Sequence, residues 1–405
     1  MGFSLTTAML KVLVPTKITS AMLISSTAAA EPDANYDPRN TGVMSGWDAT
    51  QPFDLLQYVY YNHTVYQSLV AHTSIANSNK FTVTVSTGTP CVVTWSSAHG
   101  LYNGALVVLS SATALPSGLL IGGSYYVTVT SSTTCTLSSS RWGSTIDTTG
   151  ALGTVSGVIT TTTTQPDLSL IGSNPTWQEI GPTNRWAMFD TYINTATKCN
   201  GNLAVTVAPG ICNGVAVLDL SGVSAVTVSM PAAGFSQEQK LDDAIITDWY
   251  SYFFEPFDLK TDLIFGPMPS YATAQVTVTA VADDGGVVSI GAVMFGTVTE
   301  LGEVEYGATS GITDYSRKET NDFGVTTLVE RGYAKDVSYQ LSIPHTQLRR
   351  VFSTLARLRA TPAVYIGSDD YNLTPLTAFG WVNDFSVNVQ YPTYSSVSVE
   401  VKGLT

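Results

Sequence analysis

From about residue 79 to 165 charge almost vanishes from the chain, and short Thr/Val/Ser runs alternate with glycines at Gly100, Gly104, Gly118 and Gly122-Gly123. Few folds suit such a texture. Branched side chains lose freedom in a helix and pack well on a pleated surface, while glycine supplies the backbone angles that tight turns require. Runs such as Lys80 to Val85 and Tyr125 to Thr136 therefore read as strands, and their spacing predicts a small antiparallel barrel or sandwich. The segment Thr160 to Thr164, followed by Gln165-Pro166, reads as its exit linker.

The same alternation returns downstream. Leu203 to Val207, Val215 to Leu220, Val226 to Val228, Gln275 to Val281 and Val287 to Ile290 follow the two-residue period of a half-buried strand. Pro209-Gly210 and Asp283-Asp284-Gly285-Gly286 punctuate them, the latter as a hairpin turn. One helix stands out, with Leu348, Val351, Phe352, Leu355 and Leu358 on one face. Strands are expected before it (Val337 to Ile343) and after it (Ala363 to Ile366, Phe385 to Val389, Ser396 to Val401). The chain is thus expected to be mainly β, with several sandwich or small-barrel domains and a C-terminal sandwich flanked by one helix. The expected organisation is an arm at 1–30; a split domain at 31–78 plus 166–181; an inserted β domain at 79–165; a jelly-roll-like sandwich at 182–296; and a sandwich plus helix at 297–405.

Composition narrows function. The net charge is -13 with no basic block, whereas nucleic-acid binders cluster Lys and Arg to displace counterions from phosphates. Nucleic acid is therefore not an expected partner. No stretch approaches the roughly 20 apolar residues of a membrane span, so no membrane insertion is expected. Ala28-Ala29-Ala30 imitates a signal-peptidase site, yet Lys11, Pro15 and Lys17 interrupt the apolar part and no basic residue precedes it. An extended arm packed on a neighbouring subunit accounts better for residues 1–30. Only 12% of residues are charged, which fits subunits that bury surface against copies of themselves. Cys91, Cys135, Cys199 and Cys212 show no C-x-x-C spacing; buried thiols are expected, although Cys199 and Cys212 could face each other across a hairpin.

Two stretches resemble known families. Trp47-Asp48-Ala49, Tyr58-Val59-Tyr60-Tyr61-Asn62 and Val65-Tyr66-Gln67-Ser68, closed by Asn174-Pro175-Thr176-Trp177-Gln178-Glu179-Ile180-Gly181, resemble the chitin-binding-type carbohydrate module. The two halves usually adjoin, so the resemblance implies that the charge-free region is inserted in a loop. That region, with Ser97-Ala98-His99-Gly100-Leu101, Leu115-Pro116-Ser117-Gly118-Leu119 and Tyr125-Tyr126-Val127, itself looks like a phage-associated β module. From Gly181-Pro182-Thr183-Asn184-Arg185-Trp186 through Asp248-Trp249-Tyr250 and Gly311-Ile312-Thr313-Asp314-Tyr315 to Tyr391-Pro392-Thr393, the chain resembles a family of phage and prophage structural proteins. The C-terminal part is also broadly similar to the ring-forming fold of tail tube and distal tail proteins. The resemblance implies a virion tail component, at the tip, baseplate or collar, that assembles with copies of itself in a ring and with other phage tail proteins; the alternative is a receptor-binding protein that recognises a host surface glycan through its module.

Candidate sites follow. Sugars lay their C–H faces on exposed aromatic planes, which makes Trp47, Tyr60, Tyr61, Tyr66 and Trp177 candidates for carbohydrate binding. The alternative is that these rings form the core of a module too small to hold together without them. Arg349, Arg350, Arg357 and Arg359 mark a cationic helix face in an acidic chain; it is either solvated or a subunit interface, with Glu300, Glu303 and Glu305 of a neighbouring copy as partners. His63, His72, His99 and His345 lack metal-ligand spacing, no G-x-S-x-G or phosphate-cradling loop occurs, and no cofactor or metal is expected. Asp242-Asp243, Asp283-Asp284 and Asp369-Asp370 are adjacent pairs, whereas glycoside hydrolysis needs carboxylates about 5–9 Å apart across one sugar. No catalytic activity is expected.

Overall fold

The computed structural model describes residues 8–31, 44–48, 51–73, 80–110, 115–149, 155–161, 164–166, 175–190, 192, 195–241, 249–254, 259–320, 326–330, 332–359, 361–368, 375–389 and 391–404. The chain opens with β1 (Met9–Pro15) and β2 (Leu23–Ser26). It continues through β3 (Ser45–Gly46), β4 (Pro52–Phe53), β5 (Tyr58–Tyr61), β6 (Thr64–Ser68), β7 (His72–Thr73), β8 (Lys80–Val85), β9 (Val92–Trp95), β10 (Leu106–Ser110), β11 (Gly123–Val129), β12 (Thr134–Ser138), β13 (Val155–Thr161) and β14 (Trp177–Pro182). After α1 (Asn184–Ala187) come β15 (Thr197–Asn200), β16 (Leu203–Val207), β17 (Gly214–Ser221), β18 (Val223–Met230), β19 (Phe235–Lys240), α2 (Trp249–Phe254), β20 (Leu263–Phe265), β21 (Val276–Ala282) and β22 (Val287–Val304). The chain ends with β23 (Thr309–Asp314), β24 (Arg317–Thr320), β25 (Thr326–Val329), β26 (Tyr333–Pro344), α3 (His345–Leu358), β27 (Ala363–Ile366), β28 (Thr377–Asn388) and β29 (Tyr394–Gly403). The protein is mainly β, with barrel- and sandwich-like sheets. Two compact units result: Met1–Ala30 with Asn184–Thr405, and Glu31–Thr183.

The first unit is a sandwich and a ring that share one strand. The first half of β22 pairs with β15 and β17, and β20 extends that sheet beyond β17. Val215, Val217, Phe265 and Phe295 of this sheet meet Leu203, Val228 and Val278 of the sheet β19-β18-β21-β16-β2 in one core. The second half of β22 pairs with β1, β1 with β27, and the order β27-β28-β29-β26 returns to β22 through Glu303↔Ser342 and Val304↔Leu341. Six strands therefore close on themselves, which leaves no free edge among them. Leu10, Val12, Leu341, Ile343, Val397 and Val399 fill this core together with Val351, Leu355 and Leu358 of α3. Alternate residues of β29 point inward and outward over its whole length, as the two-residue period requires.

Several expectations change here. Residues 9–15 are not an arm on a neighbour. They pair with β22 and β27 of the same chain, with Leu10, Val12 and Leu13 fully buried. Apolar alternation in Met9–Pro15 is best satisfied inside a sheet, and Gly296 lets β1 approach. A side chain there would come within 2.1 Å of the Val14 carbonyl oxygen. β22 crosses residue 296 without a break, so the two C-terminal sandwiches expected from the sequence share a strand. Asp283 to Gly286 is a corner, not a hairpin. Asp284 (φ 45°) and Gly285 (φ 69°) turn the chain from one sheet of the sandwich into the other, since β21 and β22 pair with different strands. All four cysteines are free, and Cys199 and Cys212 are not bonded to each other.

The second unit holds a closed six-stranded barrel, β10-β11-β12-β9-β8-β13. Val83, Val93, Trp95, Val107, Leu109, Val127, Leu137 and Ile159 fill its interior, which is small enough for side chains to close. Beside it in the same unit lies a sheet ordered β14-β6-β5-β3, with β4 paired to β7. β14 reaches this sheet from far downstream, aligning Trp177 with Ser68 and Glu179 with Tyr66. The first and last residues of the unit are clasped together. The Glu31 carboxylate accepts a hydrogen bond from the Thr183 hydroxyl and faces His63 Nδ1 at 3.1 Å, and the Thr183 amide donates to the His63 carbonyl at 2.8 Å.

Candidate functional site

The small sheet of the second unit has two faces of different character. Val59 is aligned with Tyr66 and Ser68 with Trp177, so these side chains share one face. Phe53 closes that face: its ring lies 5.1 Å from Trp177, and Val59, Tyr66 and Trp177 form a core with it. Trp47 and Tyr61 pack half-buried against its margin, edge to face at 5.4 Å. Trp177 is wholly buried and its Nε1 donates to the Thr164 carbonyl at 2.7 Å. Of the five aromatic candidates, Tyr66 and Trp177 are therefore scaffold and unavailable to a sugar. A module of this size has little other apolar mass to bury, and the aromatics supply it.

The opposite face is mixed: Val65, aligned with Tyr60, is fully buried on it, whereas Tyr58, Tyr60 and Gln67 are half-buried and Gln178 is exposed. Strand alternation puts Tyr58 and Tyr60 on this face, and Tyr58, Gln67 and Gln178 align across β5, β6 and β14. Tyr60 is half-buried and its ring lies over Gly46, where an added side-chain carbon would meet it at 3.3 Å. Phenol rings beside two carboxamides can stack on an apolar sugar face and bond its hydroxyls. Tyr58 and the two glutamines were not singled out from the sequence. The signal was the outward register opposite Val59.

Beneath the module lies a buried polar-aromatic junction with the barrel of the same unit. The His72 ring sits 4.9 Å from Trp177 and 5.4 Å from Tyr102. Its Nδ1 lies 2.7 Å from the Val70 carbonyl, and burial holds its pKa below the ordinary value. A neutral ring donates from Nδ1 there. Burial likewise pushes the Tyr102 hydroxyl up to about 12. His99 bridges a turn: it accepts from the Leu101 amide at Nδ1 and pairs Nε2 with the Ser131 carbonyl at 3.0 Å.

In the first unit, Arg349, Arg350, Arg357 and Arg359 are all exposed. Arg350 donates to the backbone carbonyl of Glu300 at 3.4 Å, and both line a cleft of about 850 Å³ with Lys11, Lys260 and Asp262. Glu300 is thus a neighbour of Arg350 within one chain. Phe352, expected on the buried helix face, is 52% exposed and meets Phe385 edge-on at 5.2 Å. The sequence reading missed the hairpin formed by β23 to β26. β23 pairs with the first half of β26, and β24–β25 continue the ladder outward. Ile312 (69%), Leu328 (69%) and Tyr333 (61%) stand exposed along it.

Among the described residues no three His, Cys, Asp or Glu side chains gather as metal ligands, and no helix is long and apolar enough to cross a membrane. Asp242-Asp243 and Asp369-Asp370 lie outside the described residues. No protein-family model matches the sequence, and no curated protein matches it.

Proposed function

We propose that this protein is a structural component of a bacteriophage tail, at the tip, baseplate or collar, which assembles with copies of itself and presents outward β modules in the virion. The observation that carries this reading is the long hairpin β23–β26. β23 is an edge strand of the large sheet and β24–β25 a separate two-stranded ladder, marginal in water by itself, and among the described residues these strands leave Ile312, Leu328 and Tyr333 exposed. Such a ladder gains stability by packing on another subunit. The motifs of residues 181–405 noted above support the same reading, as does the low charge of the chain. Light scattering after size exclusion tests it: a discrete oligomer is expected, and Ile312→Asp with Leu328→Asp should shift it to smaller species. A stable monomer at high concentration that is also missing from purified particles would overturn the proposal.

A second reading, favoured by the row Tyr58–Gln67–Gln178 beside Tyr60, is recognition of a host surface glycan. Capture of the wild-type chain on a glycan array is the expected result, and its absence would overturn this reading. Trp177→Ala is not a valid probe, because it removes the core of the module.

A further inference from the structure

The loop between β12 and β13 carries a tryptophan in a conformation that tryptophan rarely adopts. Trp142 has φ 65°, in the left-handed region where a bulky side chain crowds its own backbone, and yet 67% of its surface is exposed. An exposed ring gains little from burial, so local packing does not explain why a strained position holds an indole. The residue before it is anchored from several sides. Arg141 donates from Nε to the Gly104 carbonyl (3.3 Å), from Nη1 to the Pro175 carbonyl (2.9 Å) and from Nη2 to Thr176 Oγ1 (3.4 Å), and its guanidinium lies 5.6 Å from the centre of the Tyr126 ring. Gly104 has no side chain to interfere. A carbon added there would meet Arg141 Cγ at 3.3 Å and Trp142 Cζ2 at 3.5 Å, so the edge of the indole rests against bare backbone. The ring is held in place, with much of its surface facing solvent.

We propose that Trp142 is the platform of a carbohydrate-binding site that stacks the apolar face of a neutral sugar ring. This rests on the reading that the chain contacts glycans, and it moves the main contact from the aromatic module to the barrel. An indole face is electron-rich and attracts the polarised C–H bonds of a pyranose, while the hydroxyls at the rim of the sugar need neutral donors and acceptors. The neighbouring positions supply these: Ser139, Ser140 and Ser144 are exposed in the same loop, and Asn103 is exposed beside Gly104. From Lys80 to Thr161 the charged residues are Lys80, Arg141 and Asp147, and Arg141 is committed to the contacts above. Such surroundings disfavour an anionic sugar. A protein partner would call for a contiguous apolar patch, whereas Trp142 is ringed by serines and glycines.

The test uses the full-length chain on a printed array of neutral and acidic oligosaccharides, with wild type, Trp142→Ala, Trp142→Tyr and Tyr60→Ala compared and their folding checked by thermal melts. Wild type should be retained by neutral oligosaccharides. Trp142→Ala should weaken capture about tenfold or more, Trp142→Tyr should hold it within a few-fold, and Tyr60→Ala should leave it intact. Capture that Tyr60→Ala abolishes and Trp142→Ala leaves unchanged would overturn this inference while sparing the glycan reading. No capture of wild type by any neutral oligosaccharide would overturn the inference; if acidic ones also fail, the glycan reading falls with it. A folded Trp142→Ala variant altered only in oligomeric state would make the ring a protein contact and overturn the inference as well.

Discussion

The molecule contains two closed rings of six strands, and they are built in opposite ways. The barrel of the second unit takes all its strands from Lys80 to Thr161, so every pairing, including the Lys80↔Thr160 ladder that closes it, lies within that one segment. The ring of the first unit joins Met9–Pro15 to strands near residues 300 and 365 and needs both Met9–Pro15 and Tyr394–Gly403 to close. Closing a long loop costs entropy before any contact is made, so the second design is slower to form and depends on one distant strand. The local barrel is charge-poor and held by side-chain packing and hydroxyl–backbone bonds. The distant ring adds a helix to fill its core. Locality makes the first separable; closure through a terminal strand makes the second all-or-none.

The largest effect expected from this contrast is loss of the ring in the first unit when residues 1–17 are removed, because Leu10 and Val12 leave its core and β22 and β27 lose their shared partner. Near-ultraviolet circular dichroism and limited proteolysis should show the first unit opened while a fragment 31–183 remains folded, its ends clasped by Glu31 and Thr183. A first unit that survives the truncation would break the comparison.

Next in size, Trp177→Ala should destabilise the module by about 3–5 kcal/mol, since a fully buried indole and its bond to the Thr164 carbonyl are lost. Denaturant melts should locate that loss in the second unit, with the first unit unchanged.

A smaller effect should appear with pH. Burial lowers the pKa of His72 below 6.5, whereas the unfolded chain protonates this residue at its ordinary value. The unfolded state then binds more protons as pH falls, so His72's contribution to stability is complete above the ordinary value. It is lost progressively as pH drops from there toward the native pKa. Melts of fragment 31–183 at about pH 5 and about pH 8 should differ, and His72→Gln should shrink the difference. An unchanged difference would remove His72 as its source.

The smallest expected effect is at the clasp. Glu31→Gln weakens the charge-assisted bonds to His63 and Thr183, both partly screened by solvent, and should cost about 1 kcal/mol. Hydrogen exchange at the Thr183 amide should rise before any change in the barrel core.

Many strands were legible in the sequence: Lys80–Val85, Leu203–Val207 and Ala363–Ile366 coincide with runs read there as strands, and α3 follows its apolar spacing. The candidate site was legible only in part. Alternation says that Tyr60 and Tyr61 face opposite sides, but not which side is buried. That choice belongs to Phe53 and Trp177, which arrive from elsewhere in the chain. Trp142 carried no periodic signal, because its significance lies in a backbone angle and a distant anchor through Arg141. Local sequence determined the strands, the turns and the helix, since these follow from side-chain branching, glycine and spacing within a few residues. Only the tertiary structure decided that Met9–Pro15 sits inside a ring, that β22 serves two cores and which aromatic rings remain exposed, because each depends on pairings between residues far apart in sequence.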